Sequence, residues 1–136
     1  MRLVAILIVC LIFTVAARAE DPKPSLAACD PERIGAKELA DCLRTASDKS
    51  ERDLTAALDA ALKSIDAKPK MLSSQKGRWK RFLNDSEAQW TSYRDSECQD
   101  LAPFETGMAA KGGDPRLACI IDENSRRTAD LKARYP

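Results

Sequence analysis

Residues 86–98 read SEAQWTSYRDSEC, and Trp90, Tyr93, Arg94, Asp95 and Cys98 fall together in a chain that is only 5% aromatic. Two kinds of chemistry could use such a grouping. A guanidinium beside aromatic rings can bind an anionic ligand, and a cysteine beside charged groups can act as a nucleophile. The rest of the chain argues against catalysis. There is no histidine, so neither a Ser-His-Asp nor a Cys-His arrangement can be assembled. Gly112-Gly113 precedes Asp114-Pro115 without the spacing of a phosphate-binding loop. Paired carboxylates could serve as acid and base, but with 21 acids in the chain their presence selects nothing. The chain is therefore expected not to be an enzyme and to need no cofactor.

The chain opens MRLVAILIVCLIFTVAARAE. A leading arginine, an uncharged apolar run and Ala17-Arg18-Ala19 are the parts of a secretory signal peptide over residues 1–19. Cleavage after Ala19 would leave 117 of the 136 residues, enough for one small domain. It would remove Arg2 and Arg18 and take the formal charge from +1 to −1. That balance gives no electrostatic case for nucleic acid or a membrane surface. The expected location is the periplasm or the exterior, with no membrane attachment after cleavage and a monomeric state.

Apart from Cys10 in the apolar run, the cysteines are Cys29, Cys42, Cys98 and Cys119. In a small exported chain they read as two disulfides. Three pairings are possible, and Cys29–Cys42 with Cys98–Cys119 closes the shortest loops. Zinc ligation is disfavoured, because there is no histidine and no C-x-x-C pair.

Three elements must position these residues. Residues 20–35 hold three prolines and little apolar character, and are expected to be a flexible lead-in. From Ala36, the residues Leu39, Leu43, Leu54, Leu58, Ala61 and Ile65 keep to one face at helical spacing, which predicts one long helix ending before Pro69. A second helix follows Leu72, with Trp79, Leu83, Trp90 and Leu101 on one line and Phe82 and Tyr93 flanking it; Pro103 is expected to end it. Residues 103–116, PFETGMAAKGGDPR, read as a loop. A third helix opens at Asp114-Pro115, with Leu117, Ile121, Asn124, Thr128, Leu131 and Tyr135 sharing a face and Cys119 almost opposite. The expected fold is all-α: a long antiparallel helical hairpin plus a shorter C-terminal helix, stapled by two disulfides, in one domain over 36–136.

On that plan Trp90 and Tyr93 are core residues. Arg94, at the edge of the stripe, needs a carboxylate, with Glu97 and Glu87 within reach on its own helix. Asp95 points elsewhere, towards Arg126 or Arg127.

The stretch AQWTSYRDSEC resembles the A-Q-x-x-W-x-x-[YF]-R-D-x-x-C core of the LprI-type lysozyme-inhibitor family, small exported bacterial proteins that are helical and carry cysteines. The resemblance continues in order through Cys42, RDLTAALDAAL, KGGDPRLAC and IIDENSRRTADL, over roughly residues 42–131. Gln89 stands directly before Trp90 here, and Asn124 occupies the place of a usual threonine. The resemblance implies a protein that binds a lysozyme or related peptidoglycan hydrolase and blocks a cleft built on two carboxylates. Met108, Lys111 and Arg116 in the 103–116 loop would then be the partner-binding residues, with an apolar tip, two cations and ends held by Cys98–Cys119. The alternative is a periplasmic accessory or immunity protein acting through protein–protein contact without lysozyme inhibition.

Overall fold

In a computed structural model, residues 23–106 and 113–136 are described; the signal-peptide reading of residues 1–19 and the positions of Met108 and Lys111 lie outside them. The fold is all-α. Helix α1 spans Pro24–Ala28, α2 Ala36–Asp66, α3 Ser73–Asp95, α4 Ala102–Glu105 and α5 Pro115–Arg134. A π-helical segment, Ser96–Leu101, joins α3 to α4.

Local chemistry sets the helix starts. Glu38 reaches back to accept the Gly35 N–H at 2.9 Å, and Gln75 does the same for Leu72 at 3.0 Å. Asp114 caps α5, accepting the Arg116 N–H at 3.0 Å, with Pro115 in the first turn. The polar passage TASDKSERD stays helical inside α2, as the continuous apolar phase predicts.

Cross-chain pairs fix the arrangement. Lys80 meets Asp66 and Arg94 meets Glu51, so α2 and α3 form the antiparallel hairpin. Asn124 meets Ser50 and Ser64 meets Pro136, so α5 runs parallel to α2. The face of α2 that meets α5 carries Ser47, Ser50, Ala57 and Ala61, all buried, and these small side chains let the two backbones approach closely. The disulfides are Cys29–Cys42 and Cys98–Cys119.

The interior is in two parts. Leu54, Ala57, Ala61, Ile65, Leu83 and Leu131, with Trp79, Trp90 and Tyr135 against them, fill the end near the hairpin turn. Cys29, Leu39, Leu43 and Ile121, with Ile34, Leu117 and Ala118, fill the other end. Polar residues lie between the two, with Ser47, Ser50, Arg94 and Asn124 all buried.

Three expectations need correction. The lead-in is folded from Lys23 onward: Ser25 is buried in α1, and its N–H and hydroxyl both donate to Asp122 on α5, at 2.7 and 3.0 Å. Pro24 in the first turn of α1 is compatible with a helix, so it did not signal flexibility. Pro103 does not end the helical path, which continues to Glu105. The Ala102 N–H bonds the Glu97 carbonyl five residues back, and this wider turn relieves the clash of a proline ring with the preceding turn. The segment between helices therefore starts at Thr106 and not at Pro103.

The third correction concerns the α3 stripe. Leu83 is buried and Trp79 and Trp90 pack on the core, but Tyr93, Phe82 and Leu101 are exposed. Counting 100° per residue through the π segment carries Leu101 inward; the wider turn buries Cys98 and Ala102 instead. Tyr93 falls just outside the line Leu83–Glu87–Trp90–Arg94 that faces the bundle.

Candidate functional site

Trp90, on α3, has two guanidiniums close to its ring, one from its own helix and one from α5. The Arg94 carbon Cζ lies 5.5 Å from the ring centroid and that of Arg127 lies 5.7 Å away. Both cations are largely buried, and a buried cation needs carboxylates. Each finds them across helix boundaries.

Arg94 donates through Nη1 to Glu51 Oε1 on α2 and to Asn124 Oδ1 on α5, both at 2.8 Å. Its Nε and Nη2 donate to Asp95 Oδ1 at 3.0 and 2.7 Å. Asn124, wholly buried, passes the network on by donating from Nδ2 to Ser50 Oγ at 3.0 Å. Ser50 in turn donates to the Ser47 carbonyl at 2.8 Å. One side chain of α3 thus holds both neighbouring helices.

Arg127 on α5 forms a second knot. It pairs with buried Glu87 on α3 and with Asp130 one turn along α5, at 2.8 Å. Hydrogen bonding to Glu87, opposed in part by burial, holds this guanidinium more firmly protonated than an ordinary arginine.

The expected partners of Arg94 are thereby corrected. Glu87 is taken by Arg127, while Arg94 takes Glu51 and Asp95. Asp95 turns back onto its neighbour rather than reaching Arg126 or Arg127. Arg126 pairs with Glu123 on its own helix.

Two signals for this network stand in the sequence. Glu87 and Arg94 continue the heptad-like line through Leu83 and Trp90, so their charges are placed at core positions. Asn124 interrupts the apolar face of α5 in the same way. Glu51 sits within a charged run on α2 and nothing local distinguishes it. Ser25 and Asp122 carry no local signal either.

Chemically, these groups anchor helices. Two buried knots whose partners come from different helices fix the relative rotation and register of α2, α3 and α5. Among the described residues, the four cysteines are disulfide-bonded, and no group of three or more Cys, Asp or Glu side chains could hold a metal ion.

The bundle end carrying both disulfides has a different character. Cys98 in the π segment after α3 is joined to Cys119 in α5 with the Cα atoms 5.3 Å apart, so the segment between them has a fixed base. Phe104 on the near side of that segment is 82% exposed, and Arg116 on the far side is exposed in the first turn of α5. Tyr93 and Leu101 add exposed apolar surface along the same stretch of chain.

No helix among the described residues is long and apolar enough to cross a membrane. Residues 29–131 match the family model described as lysozyme inhibitor LprI. No curated protein and no solved structure matches.

Proposed function

The chain belongs to the lysozyme inhibitor LprI family, and from that premise we propose that it binds and blocks a lysozyme or related peptidoglycan hydrolase. Such hydrolases work with two carboxylates flanking the scissile bond. A blocker has only to fill that cleft with donors, cations or apolar groups and offer no bond to cleave.

The contact is the segment joining α4 to α5. Lys111 and Arg116 supply positive charge for the carboxylates and Met108 supplies an apolar tip. The observation that supports this reading is the base of the segment. The Cys98–Cys119 bridge limits the freedom that the intervening residues lose on binding, and Phe104 beside it holds a large exposed ring. The partner is a protein, and the inhibitor acts as a monomer. Two disulfides suit an oxidising compartment, the periplasm or the exterior, reached through cleavage of residues 1–19.

The test is lysis of cell-wall suspensions by several lysozyme types in the presence of purified protein. Wild type slows lysis by at least one type, and Lys111→Glu weakens that effect. Absence of inhibition by wild type across all types removes the reading.

A further inference from the structure

The near-neutral overall charge conceals a strong local imbalance. Residues 68–81 carry Lys68, Lys70, Lys76, Arg78, Lys80 and Arg81 with no acid among them. The fold gathers this run at the end of the bundle remote from both disulfides, where α2 stops at Asp66 and α3 starts at Ser73. Helix α5 finishes beside it, with Tyr135 6.0 Å from Trp79 between ring centroids, and adds Arg134. Of the six cations, Lys80 is the one that pairs with a carboxylate among the described residues, that of Asp66. Lys76 donates to the Asp66 carbonyl at 2.7 Å and so neutralises the C-terminus of α2.

Apolar side chains stand among these cations. Leu72 is 68% exposed and Phe82 61%. Between them, Met71, Ser74, Gln75, Arg78, Trp79 and Phe82 line an open groove of about 380 Å³ along the first three turns of α3.

We infer that this end of the bundle docks on an anionic phospholipid surface. Exposed leucine and phenylalanine set among lysines and arginines is the pattern of an element that lies in a membrane interface. Leu72 and Phe82 enter the headgroup boundary, the cations meet lipid phosphates and long stems carry the charges outward. The alternative occupant is the acidic cleft of a protein. Lysine is depleted at the centre of protein interfaces, and four of the six cations here are lysines, two in the turn before α3 and two on its first three turns. This distribution matches an extended charged plane. Docking there leaves the disulfide end clear, and it does not depend on the muramidase reading.

The experiment uses residues 20–136, which keep every described residue, in co-sedimentation with vesicles. The vesicles are phosphatidylcholine alone or phosphatidylcholine with phosphatidylglycerol. Wild type sediments with the anionic vesicles at low salt, and raised salt releases it. It does not sediment with neutral vesicles. Lys70→Glu/Arg81→Glu and, separately, Phe82→Asp each weaken partitioning at least tenfold. All three positions are exposed, so the thermal midpoints of these variants stay at the wild-type value and serve as the folding control. Three results would overturn the inference: no binding to anionic vesicles at low salt, equal binding to neutral ones, or full binding by both variants. A charge-reversed variant that keeps vesicle binding but loses inhibition of a muramidase would assign this end to the protein cleft and overturn it likewise.

Discussion

Arg94 and Asn124 meet in the middle of the bundle, Nη1 to Oδ1 at 2.8 Å, and the asparagine has no exposed surface. This contact ties α3 to α5, and the Asn124 bond to Ser50 carries the tie on to α2. Asn124→Ala removes both bonds and leaves part of a buried guanidinium unsatisfied. The expected loss is about 2–3 kcal/mol of unfolding free energy. It is checked by urea denaturation, which should show a lower midpoint with unchanged slope.

Glu87 and Arg127 are a buried ion pair, and removing the Glu87 charge leaves Arg127 with the half-exposed Asp130 as its remaining carboxylate. Glu87→Gln should cost about 3 kcal/mol, whereas Glu87→Leu combined with Arg127→Leu should recover much of that loss. A double-mutant cycle measures the coupling. Additive single effects would show that the pair contributes nothing beyond packing.

Asp122 accepts both the N–H and the hydroxyl of Ser25 and thereby caps a five-residue helix that would not persist alone. Asp122→Ala should free residues 24–28 while the Cys29–Cys42 bridge keeps the segment attached. Hydrogen exchange should quicken there and stay unchanged in the middle of α2. The global cost should be about 1–2 kcal/mol.

Asp53 titrates below the ordinary carboxylate value, chiefly through its hydrogen bond to Lys49, with Lys132 and Arg52 adding attraction and desolvation opposing. A lowered folded-state pKa contributes stability above the ordinary value, and that stability is lost as pH falls through the folded value. Asp53→Asn should therefore melt slightly below wild type at neutral pH, and the two curves should converge as pH falls through the lowered folded-state value. The carboxylate is exposed, so the gap should also shrink with added salt.

Much of the fold was legible because helical periodicity is a local property. Leu39, Leu43, Leu54, Ala61 and Ile65 define α2 without reference to any other helix. The disulfide pairing followed from loop length. What periodicity could not carry was partnership. Arg94 had two acids on its own helix within reach, yet its partners are Glu51 and Asn124, distant in sequence and brought close by packing, together with the adjacent Asp95. The π segment also escaped, because nothing in SECQDL announces a wider turn, and the α3 stripe carried past it misplaced Leu101 on the buried side. The charged tip was written openly in residues 68–81, but a sum over the whole chain cancelled it against acids elsewhere in the sequence.

The two bridges join the first described cysteine to the second and the third to the fourth, and their sequence spans do not overlap. In a chain that enters an oxidising compartment N-terminus first, Cys29 and Cys42 can pair before Cys98 has emerged, and Cys98 then waits only 21 residues for Cys119. Vectorial oxidation by a simple dithiol oxidase would give the native connectivity directly, and no bridge would have to be reopened by an isomerase.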